Sequence, residues 1–137
     1  MTKPLAKIRV YPEERSLYVT CYVWPNKRAM RRETSRLNGG ASMAGAGAAC
    51  FTYRRERVGI DGSCSRLSPQ FGEIHFSRTQ LGSETITHEL THALLGWARR
   101  VGWKPDDDMD REERFCYAMG AMVRQLVNRL YARGLLQ

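Results

Sequence analysis

Residues 72–101 read GEIHFSRTQLGSETITHELTHALLGWARRV, and the change of period inside this stretch decides the fold. Its opening, Gly72–Ser77, reads as a short strand just before the motif. From about Ser83 the period becomes helical, because Ile86, Leu90, Ala93, Leu94, Trp97 and Val101 fall on one stripe. Gly102 and the Lys104-Pro105 pair end that helix.

Downstream, Asp106–Asp110 is an acidic connection whose charges suit the start of another helix. Arg111–Arg133 then reads as a long helix with Phe115, Met119, Met122, Leu126 and Leu130 on one side and Gly134 as its stop. Upstream, Lys7–Tyr11 and Leu17–Trp24 are rich in Val, Ile and Tyr and read as strands. Pro25-Asn26 suggests a turn into Lys27–Arg36, expected to return as a polar, outward-facing strand. Asn38-Gly39-Gly40 breaks the pattern, and Ala41–Ala49 reads as a mobile loop or a tightly packed helical turn, with a flexible flap over the cleft as the functional alternative to a plain loop. Cys50–Val58 looks like a further strand, with Asp61-Gly62 as a turn and Ser68-Pro69 as a break.

This order predicts an α+β fold: a small N-terminal sheet, antiparallel or mixed, followed by a motif-bearing helix and a long C-terminal helix. The 137 residues fit a single domain, strand-rich over 1–82 and helical over 83–134. Cys21, Cys50, Cys64 and Cys116 form no CxxC pair and no dense disulfide framework. The first residues lack a signal-peptide apolar run, and no stretch has the length of a membrane helix. An intracellular, cytoplasmic protein with reduced thiols and no membrane partner is therefore expected. Lys and Arg total 22 against 14 acids, a formal charge of +8. That balance favours weak, salt-sensitive contact with nucleic acid, against the alternative of a merely solvated basic surface. No pattern for sequence-specific recognition accompanies it.

Inside the predicted helix stands His88-Glu89-Leu90-Thr91-His92, an HExxH motif. Histidines at i and i+4 project from one helix face, one turn apart, and can hold one metal ion between two imidazoles. Glu89 lies beside them, where a carboxylate can take a proton from metal-activated water. The aliphatic stripe centres nearly opposite the two histidines, while Leu95 and Gly96 lie near them, so the histidine face is open to being covered too. A hydrolytic zinc site needs a third protein ligand. His75 is the one remaining histidine and lies upstream; the downstream candidates are Asp106, Asp107, Asp108, Asp110, Glu112 and Glu113.

With its HExxH helix, preceding short strand and acidic start to the next helix, the stretch Gly72–Arg133 resembles the gluzincin zinc peptidases, in particular their minimal domains. The absence of a histidine downstream departs from the SprT-like and metzincin patterns. The resemblance implies a Zn2+ cofactor, a protein or peptide substrate, Glu89 as catalytic base and a glutamate ligand on the second helix followed by small residues. Glu113 has Cys116 and Gly120 at +3 and +7, whereas Glu112 has the bulky Phe115 and Met119, so Glu113 is the expected third ligand beside His88 and His92. It also implies that Gly72–Ser77 is the edge strand that aligns an extended peptide. Tyr117, Tyr131, His75 and Arg99 remain open as oxyanion stabilisers, and Trp97 and Trp103 read as packing residues. A zinc-containing binding module without catalysis, or a nucleic-acid-associated protein, is the competing expectation.

Overall fold

The computed structural model describes residues 2–14, 17–39, 47–53, 56–58, 64–66, 68–102 and 109–136. Four strands form a mixed sheet in the order β1-β2-β6-β3: β1 (Ala6–Val10), β2 (Tyr18–Trp24), β3 (Ala48–Thr52) and β6 (Gln70–Ser77). β1 runs antiparallel to β2, β2 parallel to β6, and β3 antiparallel to β6. Between β3 and β6 the chain makes a separate two-stranded ladder, β4 (Glu56–Val58) with β5 (Cys64–Arg66). Among the described residues, three α-helices and a short 3-10 helix, Arg78–Gln80, complete the order: α1 (Lys27–Leu37), α2 (Ser83–Val101) and α3 (Met109–Ala132). The fold is α+β, and its mixed sheet precedes the two long helices as the sequence predicts.

Alternation places the core. Ala6, Ile8 and Val10 of β1 point to the same side as Val19, Cys21 and Val23 of β2 and Ile74 and Phe76 of β6. Against them pack Ile86, Leu90, Ala93, Leu94 and Trp97 of α2 and Ala118, Met122, Leu126 and Leu130 of α3. Each fully buried large side chain contributes roughly 1.5–3 kcal/mol, so this face dominates stability. The opposite face of β2 and β6 is covered by α1 through Trp24, Ala29 and Met30. The sheet is thus a middle layer, and its inner strands β2 and β6 are buried on both faces.

Three expectations change. Lys27–Arg36 is helix, not strand: the Asn26 side chain caps α1 by accepting from the Ala29 amide at 2.8 Å, and Ala29, Met30 and Thr34 recur at helical spacing on the buried side. The helix forms despite like charges at i and i+4 in Lys27/Arg31, Arg28/Arg32 and Arg32/Arg36, each pair opposing it by roughly 0.2–0.5 kcal/mol. Cys50–Val58 is not one strand but the end of β3 and the separate β4. Gly72–Ser77 lies in β6, which is an inner strand; the edge beside α2 is β3. Residues 41–46, the Asp61-Gly62 turn and the Lys104-Pro105 pair lie outside the described residues, whereas Ala48 and Ala49 belong to β3.

α2 stops as expected. Gly102 adopts a left-handed φ of 86° and its amide donates to Ala98 O and Arg99 O. α3 is tied to the end of β1 by Gln125, whose side-chain amide exchanges two hydrogen bonds with the backbone of Tyr11, at 2.9 and 2.8 Å. Among the described residues, no helix is long and apolar enough to cross a membrane.

α2 comes close against the sheet at Gly96. A Cβ there would stand 2.3 Å from Thr52 Cγ2 and 2.9 Å from Thr52 Cβ. Gly96→Ala gains up to about 1 kcal/mol of helix propensity but forces α2 off β3, which costs about 1–3 kcal/mol. The steric loss is expected to prevail, lowering the midpoint of urea unfolding, and Thr52→Ala should restore part of it in the double variant. Undiminished stability in Gly96→Ala would show that this contact does not set the position of α2.

Candidate metal centre and its surroundings

α2 presents its two faces to different environments. Leu90, Ala93, Leu94 and Trp97 sink into the core, and Gly96 meets Thr52 on β3. His88 and His92 remain exposed, so the histidine face is not covered by the described residues. The rings lie 4.9 Å apart at 74°, and their Nε2 atoms approach to 3.2 Å. Two nitrogens each 2.0–2.1 Å from a tetrahedral zinc ion stand roughly 3.3 Å apart. The separation of the pair is thus close to that of two nitrogens sharing one metal ion.

Glu89 is one residue on and turned inward. Its side chain is 9% exposed against 66% for His88, and Oε1 lies 3.9 Å from His88 Nε2. Burial pushes the Glu89 carboxyl above the usual glutamate range, while the neighbouring His88 and His92 act in the opposite direction. Cys50 of β3 lies in the same electrostatic neighbourhood. Its thiol is pushed up to about 12, mainly by burial and further by Glu89, which leaves it protonated and unreactive.

The structure does not bring Glu113 to this pair. Among the described residues, no group of three or more His, Cys, Asp or Glu is arranged to hold a metal ion. The close approach expected along Glu113, Cys116 and Gly120 is not made. These residues are exposed, a Cβ on Gly120 would meet nothing within 4 Å, and they line an open groove of about 490 Å³ with Tyr117, Ala121 and Arg124. The reason is the apolar ridge of α3. Phe115, Ala118, Met119 and Met122 turn to the core and carry the small-residue face to water. Glu112 is exposed as well, and Asp106–Asp108 lie outside the described residues.

His75 has a different role from the other two histidines. It lies on the α1 side of β6, where Trp24 Nε1 donates to its Nδ1 at 3.0 Å. That bond places the ring proton on Nε2, which donates to Glu73 Oε1 at 3.1 Å. The ring stacks on Tyr22 at 4.8 Å, and Tyr53 donates its hydroxyl proton to Glu73 Oε2 at 2.6 Å. Sequence reasoning missed this network, although the period of two through Glu73, His75 and Ser77 marks their shared side. Of the other oxyanion candidates, Tyr117 and Tyr131 are exposed on α3. Arg99 follows His92 by two helical turns and is exposed. Trp97 is buried in the core, in keeping with a packing role, and Trp103 lies outside the described residues.

The Glu73 network carries a pH dependence. The hydrogen bonds from His75 and Tyr53 hold the Glu73 carboxyl below the usual glutamate range, against the effect of burial. A lowered folded-state pKa contributes stability that is complete above the unfolded value and is lost as pH falls through the folded one. Glu73→Gln is expected to lower the melting temperature at about pH 7 and to flatten its decline between about pH 5 and pH 3. Parallel melting curves for the two proteins across that range would remove Glu73 from the acid response.

No family model, no curated protein and no solved structure matches this chain.

Proposed function

We propose that the chain is a zinc-dependent hydrolase of peptide bonds. The observation that carries this reading is the 3.2 Å convergence of two exposed imidazoles beside a buried carboxylate of raised proton affinity. Bound zinc would supply a Lewis acid and bring the pKa of a water from 15.7 to about 7. His88 and His92 offer their Nε2 lone pairs, which requires both imidazoles neutral. Glu89 takes the proton from the attacking water and returns it to the leaving amine. A zinc-containing module without catalysis has no use for a desolvated base at this point, which favours the hydrolase.

The gluzincin resemblance names Glu113 as third ligand, a role that its place on the exposed face of α3 does not supply, so the reading rests on His88, His92 and Glu89. Substrate alignment belongs to β3, the sheet edge against which α2 packs. An extended peptide adding to that edge by backbone hydrogen bonds would lie beside His88 and His92. Cys21, Cys50 and Cys116 are free thiols, which agrees with a cytoplasmic location.

The reading is tested by metal content and turnover together. Protein purified without added metal should carry zinc by mass spectrometry. His88→Ala and His92→Ala should each lose most of it on dialysis against a mild chelator. Glu89→Gln should keep the metal and lose roughly 10²–10⁴-fold in turnover of a fluorogenic casein substrate. Full zinc occupancy in either histidine variant, or undiminished turnover in Glu89→Gln, would overturn the assignment.

A further inference from the structure

α1 concentrates the charge of the molecule. Lys27, Arg28, Arg31, Arg32 and Arg36 share eleven residues with one acid, Glu33, giving a net +4, half of the chain's formal +8. The first turn contains no acid although the helix dipole favours one there, and three like-charged pairs oppose the helix at i,i+4 spacing. Helix stability therefore does not explain the arrangement. Arg36 is paired with Glu33, while Arg28 and Arg32 stand exposed.

A neighbouring strand extends this surface. Lys7 and Arg9 alternate outward from β1, away from the core. Lys7 lies 5.9 Å above the ring of Tyr22, which itself packs beside Trp24, Ala29 and Met30 under α1. Arg9 lies 4.5 Å above the ring of Tyr18. Cations from a helix and a strand thus share one side of the sheet, with α2 and α3 on the other.

We propose that α1, flanked by Lys7 and Arg9, is a docking surface for the phosphate backbone of nucleic acid. Four of the five cations of α1 are arginines, whose planar forks match phosphate oxygens. A helix of this length spans about 16 Å, enough to meet several successive phosphates. An anionic bilayer fits less well. The apolar side of α1 is already spent on Trp24, and of its apolar residues only Leu37 stands exposed, so little remains to insert. Contacts of this kind fix position and affinity without reading sequence. The proposal does not rest on the hydrolase reading, because it uses the opposite side of the sheet.

The test is fluorescence anisotropy of a labelled DNA duplex of about 20 base pairs, and of a single strand of equal length, titrated with the full chain over a range of salt. Arg28→Gln/Arg32→Gln should weaken binding by about tenfold or more at low salt and reduce the slope of log K against log salt by about two. Lys7→Gln/Arg9→Gln should weaken it in the same sense. Arg124→Gln/Arg133→Gln removes equal charge from the C-terminal end of the chain and should change affinity by less than about threefold. The melting temperature of Arg28→Gln/Arg32→Gln should match or exceed that of the parent at low salt, since two like-charged pairs are relieved. Equal losses in the Arg28/Arg32 and Arg124/Arg133 variants would overturn the proposal. So would absence of binding to both DNA forms at low salt, or binding to phosphatidylserine vesicles that duplex DNA does not displace.

Discussion

The contact on which the rest of the molecule depends is the close approach of α2 to β3, made where Gly96 lies against Thr52. Without a side chain at Gly96, the helix settles onto the sheet edge, and Leu90, Leu94 and Trp97 sink between the sheet and α3. That burial fixes the rotation of α2 about its axis. Once the rotation is fixed, His88 and His92 have to face water, and Glu89 has to turn partly inward. The difference in exposure between neighbouring residues is thus a consequence of core packing, and it leaves a carboxylate desolvated next to two accessible imidazoles. Separating these groups would require a different rotation, which would expose Leu90 or Leu94 at roughly 1.5–3 kcal/mol each.

The sheet divides the molecule into two chemical halves. On one side β6 offers Ile74 and Phe76 to α2 and α3; on the other it offers Glu73 and His75 to the layer under α1. A buried histidine and a half-buried glutamate are tolerable there because Trp24 and Tyr53 complete their hydrogen bonds, and Gln70 in turn donates to the Tyr53 hydroxyl. The cations of α1 and the HExxH residues of α2 stand on opposite sides of this layer, so a basic surface and a metal centre can coexist without competing for residues. The proposed activity and the proposed docking surface are separable for that reason.

Much of the architecture is legible in the sequence because it follows from local periodicity. The alternation in β1, the 3.6-residue stripe of α2 with its glycine stop, and the long ridge of α3 are each carried by several side chains within one element. α1 is not legible as a helix, because its buried side is only Ala29, Met30 and Thr34 and its remaining residues are mostly charged. Asn26 as a cap is the signal available, and after Pro25 it reads equally as part of a turn. In the candidate site, His88, Glu89 and His92 are readable because one helical turn brings them together without help from elsewhere.

The sequence by itself therefore determined the α+β order, the two long helices and the His88/His92 pair, since these arise within a single element. Only the tertiary structure decided that β6 is an inner strand and β3 the edge, that His75 belongs to the α1 side, and that the Glu113, Cys116 and Gly120 face of α3 looks to water. These depend on strand pairing across long stretches of chain and on which of several helix faces wins the core. In α3 the larger apolar ridge of Phe115, Met119, Met122 and Leu126 outweighed the small residues, because burial free energy scales with the apolar area removed from water.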